Sequence, residues 1–148
     1  MPSPNASEHL AAAYVAAWED RDVDRILEHH TADSVFSAPA WSPPVVGKTQ
    51  VGQAFRAAFA IWPDLSFQQL RLHLAPDHIV YVSRASATQV LPIDFYGLVV
   101  EPTGRRIAFE MVDILTLTDG LISRKDTYFD ALGYQREMFA QGRRNAVA

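Results

Sequence analysis

Asp113 is the residue whose setting most needs a chemical explanation. In the run from Ile107 to Thr118 it shares one face, by period-two counting, with Ile107, Phe109, Met111, Leu115 and Leu117. A carboxylate on an apolar strand face must be paired or protonated, because an unpaired charge in low dielectric is far too costly. A carboxyl held that way can exchange a proton nearer neutrality than a free aspartate, which suits general acid/base work. A structural reading stands beside it. The other face, with Ala108, Glu110, Val112, Ile114, Thr116 and Thr118, is semi-apolar as well, and Asp113 can pair with a lysine or arginine from a neighbouring strand.

Three further side chains have types that could join this chemistry. Tyr14 lies one helical turn before Trp18, and its buried phenol needs a hydrogen-bond partner. With a protonated Asp113 it could donate to a developing enolate oxygen; otherwise its hydroxyl reaches the rim or a backbone carbonyl. Arg84 shares a face with Val80, Val82, Ser86 and Thr88, and is a substrate or Asp113 anchor if that face is inside, a surface cation if not. Asp94 shares a face with Tyr96 and Leu98, either as a base beside an aromatic wall or as a cap where a strand starts after Pro92. Trp18, Phe36, Trp62, Tyr96 and Phe129 are the candidate walls for a small hydrophobic ligand. Lys125 and Thr127 depend on the turn at Asp119-Gly120. A two-residue turn sets Asp113 opposite Asp126; a three-residue loop with a bulge at Gly120 sets it opposite Lys125, with Thr127 on its face.

These residues have to be positioned by elements that the pattern predicts in order. Residues 1–6 form a lead-in containing Pro2 and Pro4, and Asn5 and Glu8 have capping-box spacing for a helix whose Leu10, Tyr14 and Trp18 recur on one side to about Glu19. A short helix capped by Asp22 buries Val23, Ile26 and Leu27, and a brief strand covers 33–38. Pro39, Pro43, Pro44 and Gly47 mark 39–48 as a loop. Thr49 caps a third helix with Val51, Phe55 and Phe59 inside, stopped by Trp62-Pro63-Asp64. Strands follow at 65–74, 78–90 and 93–100, then the two around Asp119-Gly120, and one helical turn around Tyr134 and Phe139 before a frayed end from Gly142. Helices first and strands after, without βαβ alternation, predict a single α+β domain over 1–148: a curved, mostly antiparallel sheet over amino-terminal helices.

Composition narrows the function further. A length of 148 residues suits one self-supporting core, and the absence of cysteine excludes disulfides, a thiolate nucleophile and cysteine-held metal. The 17 acidic against 13 basic residues leave a net charge of −4 without a continuous basic patch, so nucleic acid is not an expected partner. The amino end lacks a basic leader and no long apolar span occurs, so a soluble cytoplasmic protein off the membrane is expected. His29 and His30 are adjacent and point different ways on a helix, while His9, His73 and His78 have no ligand spacing. No metal and no dinucleotide or other cofactor is therefore expected.

The segments YVAAWEDRDVDRILEHHTADSVFSAP, GKTQVGQAF and VDILTLTDGLISRKDTYFD, over about residues 8–130, resemble the nuclear-transport-factor-2-like superfamily. The resemblance is to its SnoaL-like polyketide cyclases, ketosteroid isomerases and limonene epoxide hydrolases. It implies a cone-shaped fold and a homodimer through the outer sheet face. It also aligns Tyr14 with the isomerases' oxyanion-hole tyrosine and Asp113 with their hydrogen-bond-donating aspartate. The isomerases' carboxylate base falls at about Ala38, and the cyclases' acidic residue of the last strand at Thr127, with Asp126 adjacent; neither is retained. The epoxide hydrolases' Asp-Arg-Asp set finds its residue types in Asp113, Arg84 and Asp94. The implied function is a cofactor-independent isomerase or cyclase acting on a small hydrophobic or polycyclic metabolite, with an epoxide hydrolase or a non-catalytic binder as alternatives.

Overall fold

The computed structural model describes residues 4–145, and the side chains of residues 6–140. The chain begins with α1 (Pro4–Glu19) and α2 (Val23–Leu27), enters the sheet through β1 (His30–Ala38) and β2 (Ser42–Val46), and returns as α3 (Lys48–Ile61). β3 (Ser66–Leu74), β4 (His78–Thr88), the short β5 (Ile93–Phe95) and β6 (Leu98–Val100), β7 (Arg106–Thr118) and β8 (Leu121–Phe129) follow, and α4 (Ala131–Asn145) ends the chain. The main sheet runs β2-β1-β8-β7-β4-β3, antiparallel throughout except where β1 lies parallel to β8. Register shifts in β1, β3 and β8 add local bends, and the sheet curves without closing.

The apolar spacing of α1 has a direct consequence: Ala11, Tyr14 and Ala17 are buried against the sheet, and the Tyr81 hydroxyl donates to Ala11 O at 2.7 Å. Asp22 caps α2 by accepting from the Arg25 amide at 3.1 Å. Gly52 lets α3 close on α2, since a Cβ there would stand 2.9 Å from Leu27 Cδ1. Two apolar clusters result. One gathers Tyr14, Phe36, Phe55 and Leu115 under α1–α3, the other Trp62, Phe109, Tyr134 and Met138 under α4.

Several boundaries differ from the sequence reading. Asn5 lies inside α1 instead of capping it, and Gly47, at φ 89°, precedes α3 in place of Thr49. The proline-rich loop contains β2, which tolerates Pro43 and Pro44 because it is the outermost strand. The run 93–100 is no single strand but a separate β5–β6 hairpin. The helix after Asp130 continues to Asn145, past the expected fray point at Gly142; residues 146–148 and the first three residues of the lead-in lie outside the described residues. No described helix is long and apolar enough to cross a membrane.

Candidate active site

The β7–β8 hairpin assembles the site through one extra residue. Its turn is the two-residue kind, with Asp119 at φ 51° and Gly120 at φ 78°, and Thr118 pairs with Leu121. Continued unbroken, that register would set Asp113 opposite Asp126. Instead Leu117 pairs with Ile122 and Thr116 with Arg124, leaving Ser123 bulged, tied by its hydroxyl to Thr116 O at 3.2 Å. Beyond the bulge the inward parity of β8 reverses, so Ile122, Lys125 and Thr127 all face the core. Thr127 is then the residue directly opposite Asp113, and Lys125 is its inward neighbour.

Asp113 is inside, as the alternation of β7 predicts, but it is not alone. Lys125 Nζ donates to its Oδ1 at 2.8 Å and Thr127 Oγ1 donates to the same oxygen at 2.6 Å. The two charged side chains are only 10% and 7% exposed, so the pair is desolvated and each charge relies on the other. Both donors grip one oxygen. Asp113 Oδ2 receives no hydrogen bond from any described residue, nor is it sealed from the adjoining space. The Lys125 ammonium also stands 5.1 Å from the Trp18 ring and 5.6 Å from the Tyr14 ring, within cation–π range.

Tyr14, from the buried side of α1, shares a 3.0 Å hydrogen bond with His30 Nε2, and His30 Nδ1 in turn lies 3.2 Å from Ser34 Oγ. Burial raises the Tyr14 hydroxyl well above the ordinary phenol value, outweighing the Trp18 side chain that lowers it, and the Asp113 carboxylate adds to the rise. Tyr81, directly across the ladder from Asp113, is raised for the same two reasons. Burial likewise pushes His30 down to about 3, with the Lys125 charge acting in the same direction. At neutral pH both phenols are thus protonated and the imidazole is uncharged, beside the Lys125–Asp113 contact.

These groups border a cavity of about 160 Å³ between the two core clusters. Trp18, Phe36, Trp41, Phe55, Trp62 and Phe129 supply much of its wall, and Asp113, Lys125, Thr127 and Ser83 its polar floor on the sheet. A cavity of about 150 Å³ accommodates a benzene ring, so the space suits a group the size of one ring. The bonded sets of β7 and β8 leave Oδ2 of Asp113 as the base-like oxygen, with ammonium and hydroxyl groups nearby to meet negative charge on a ligand oxygen.

Of the residues singled out from sequence, Asp113, Tyr14, Trp18, Phe36, Trp62, Lys125, Thr127 and Phe129 meet at this cavity. Arg84 does not: the inward face of β4 is Ile79, Tyr81, Ser83, Ala85 and Ala87, so Arg84 is exposed on the outer face, paired in register with Glu110. Asp94 and Tyr96 are also elsewhere. Asp94 is exposed and accepts from the Gly97 amide across the β5–β6 turn, whose Tyr96 is 78% exposed at φ 54°. His30 and Ser34 were missed, because His30 was read as helical whereas it opens β1. Tyr81 was legible in principle, since the small and aromatic residues of its face mark the packed side better than the Arg84 face does. Among the described residues no group of three or more His, Cys, Asp or Glu stands together to hold a metal ion.

The sequence profile of the SnoaL-like domain family matches residues 11–125. No curated protein matches the chain by sequence. Among solved structures, a candidate SnoaL-like polyketide cyclase from Jannaschia sp. CCS1 is 21% identical with a TM-score of 0.78, over 93% of this chain and 96% of that one. TsrD from Streptomyces laurentii is 23% identical with a TM-score of 0.75, over 93% and 98% of the two chains. SalBIII, an epoxide hydrolase/cyclase-like enzyme of pyran ring formation in the polyether salinomycin, is 18% identical with a TM-score of 0.72, over 89% and 96%. At these identities the likeness is one of fold.

Proposed function

The chain belongs to the SnoaL-like family of the nuclear-transport-factor-2-like superfamily, and on that premise we propose that it is a cofactor-independent isomerase or cyclase for a small, largely apolar carbonyl compound. The observation that carries this reading is the division of labour on Asp113: Oδ1 is held by Lys125 and Thr127, and Oδ2 is free to take a proton. In the proposed step Oδ2 removes a proton from the carbon next to the ligand carbonyl, and the C–H electron pair moves into the carbonyl to form an enolate. Tyr14, kept protonated by burial, donates to the enolate oxygen, and the Lys125 charge stabilises the anion across the desolvated site. Where a C=C adjoins the enolate, Asp113 returns the proton to its far carbon, which is isomerisation; otherwise the enolate carbon attacks a second carbonyl, whose π pair moves onto its oxygen and takes the proton back from Asp113, which closes a ring.

The cavity supports the ligand class, because aromatic walls surround one polar floor and the volume favours a single ring over an enclosed polycycle. Epoxide opening is the second reading, favoured by the likeness of fold to SalBIII. Arg84 and Asp94 lie away from the cavity, so such a reaction here would use Asp113 to activate water and Tyr14 or Lys125 to protonate the departing oxygen. The test is solvent exchange. In D2O, a panel of cyclic enones and 1,3-dicarbonyl compounds is followed by proton NMR with and without protein; wild type should accelerate exchange beside the carbonyl and D113N should not. Ligands that bind without exchange or conversion would make the protein a binder instead.

We also propose a cytoplasmic homodimer formed through the outer sheet face, where Val80, Val82, Val112 and Ile114 stay only partly covered and Tyr128 is half exposed. Sedimentation velocity at micromolar concentration should give the dimer mass; a monomer across the accessible range rejects it.

A further inference from the structure

We infer that His30 is a positioning residue: together with Ser34 it forms a buried hydrogen-bond chain that leaves the Tyr14 hydroxyl free to donate into the cavity. The inference rests on the proposed use of Tyr14 as a donor and goes beyond it by naming what decides the direction of that donation.

The chain depends on an irregular stretch of β1. His30 pairs with Ile122 of β8, but the next partner pair is Val35 with Arg124, so the residues between leave the regular ladder. His30 and Ser34 share a face by parity and are 1% and 0% exposed; the break in the ladder draws them together, with Nδ1 of the ring 3.2 Å from Ser34 Oγ and Nε2 3.0 Å from the Tyr14 oxygen. The ring packs edge-on to Phe55, with centroids 5.7 Å apart. Tyr14, Lys125, Lys48 and His29 are the ionisable groups around it, and burial with the positive neighbours keeps the imidazole uncharged at neutral pH.

An uncharged imidazole has one N–H, so two arrangements exist. If Nδ1 carries the proton, it donates to Ser34, Tyr14 donates to Nε2, and the Ser34 hydroxyl proton has no acceptor among the described residues. If Nε2 carries the proton, Ser34 donates to Nδ1, Nε2 donates to the Tyr14 oxygen, and the hydroxyl proton left over is that of Tyr14. The second arrangement is favoured, because a proton stranded at the fully buried Ser34, which is not among the cavity-lining residues, suffers the whole desolvation cost, whereas Tyr14 lines the cavity and its proton can go to an oxygen of a bound ligand. It also suits the reaction. As Tyr14 donates to an enolate, the Nε2–H behind it strengthens to support the charge drawn onto the phenol oxygen.

The tautomer can be read without any substrate. Protein labelled with ¹⁵N-histidine is examined by long-range ¹H–¹⁵N correlation from pH 5 to 8, and His30 is identified by the signal lost in H30Q. Should that variant not fold, substituting the other four histidines, His9, His29, His73 and His78, one at a time leaves His30 as the remaining signal. We expect a proton on Nε2 and a bare Nδ1 throughout this range. A proton on Nδ1, or an imidazolium at pH 5 or above, overturns the inference. With a compound that exchanges its protons, H30L should lower kcat about tenfold at nearly unchanged KM, while H30Q, which keeps an N–H donor, should recover most of the rate; a recovery no better than H30L overturns the positioning role. An Nε2 proton in a protein that exchanges nothing would sink the proposed reaction and leave the hydrogen-bond chain standing.

Discussion

Asp113 and Asp94 each stand between apolar neighbours on a hairpin, and the two hairpins use them in opposite ways. β7 and β8 are paired on both of their outer edges, by β4 and β1, so a side chain on their concave face is enclosed from every side. β5 and β6, of three residues each, have no further strand beside them among the described residues, and Asp94 turns outward to receive the Gly97 amide. The difference lies in what surrounds the strand. A carboxylate becomes a chemical group only where desolvation raises the stakes of its pairing, and desolvation needs neighbours on both edges and a roof of helices.

The largest expected effect separates these two aspartates by activity. With a compound whose protons exchange, D113N should lower kcat about 10² to 10⁴-fold, the usual cost of losing a general base, while D94N stays near the wild-type rate. A D94N variant that lost turnover while D113N kept half of it would move the active centre to the small hairpin. Stability sharpens the contrast next. K125M leaves Asp113 charged and unpaired in the core and should lower the unfolding free energy by about 3–5 kcal/mol in urea titration. Replacing both partners, D113N with K125M, should restore much of it; a K125M loss below about 1 kcal/mol would mean that water reaches the pair.

A smaller effect is expected at Tyr14. Y14F removes one hydrogen bond but keeps the ring wall, so kcat should fall about tenfold with little change in KM. An unaltered rate would leave Lys125 as the group that meets the oxyanion. The smallest effect belongs to an aspartate at the sheet rim. Asp64 is opposed by burial, which raises its pKa, but the Thr88 amide and hydroxyl and the Arg106 guanidinium outweigh it and hold the carboxyl below its ordinary value. Its folded pKa is thus the lower one, so its stabilisation is present above about pH 4 and is lost as pH falls through that folded value. D64N should therefore cost up to about 1 kcal/mol at pH 7, and the difference from wild type should shrink below pH 4. A constant difference across the range would assign the loss to shape and not to charge.

The residues legible in the sequence were those whose placement depends on a single unbroken element. Period-two counting put Asp113 inward because β7 runs from Arg106 to Thr118 without an added residue. Helical spacing did the same for Tyr14 and Trp18, and the order of elements carried the α+β class with its curved, mostly antiparallel sheet. Lys125 and Thr127 reached the site because Ser123 is bulged out of β8; the sequence offered a bulge at Gly120 as one of two turns, but parity along a strand does not place it at Ser123 after a two-residue turn. Arg84 belonged to the face of β4 that the helices do not cover, opposite the small and aromatic residues around Tyr81 that mark the packed side. Asp94 and Tyr96 sat in a run too short for alternation to choose a face. His30 and Ser34 came together through a break in β1 that satisfies the parallel pairing with β8, so the group behind Tyr14 was decided by tertiary structure alone.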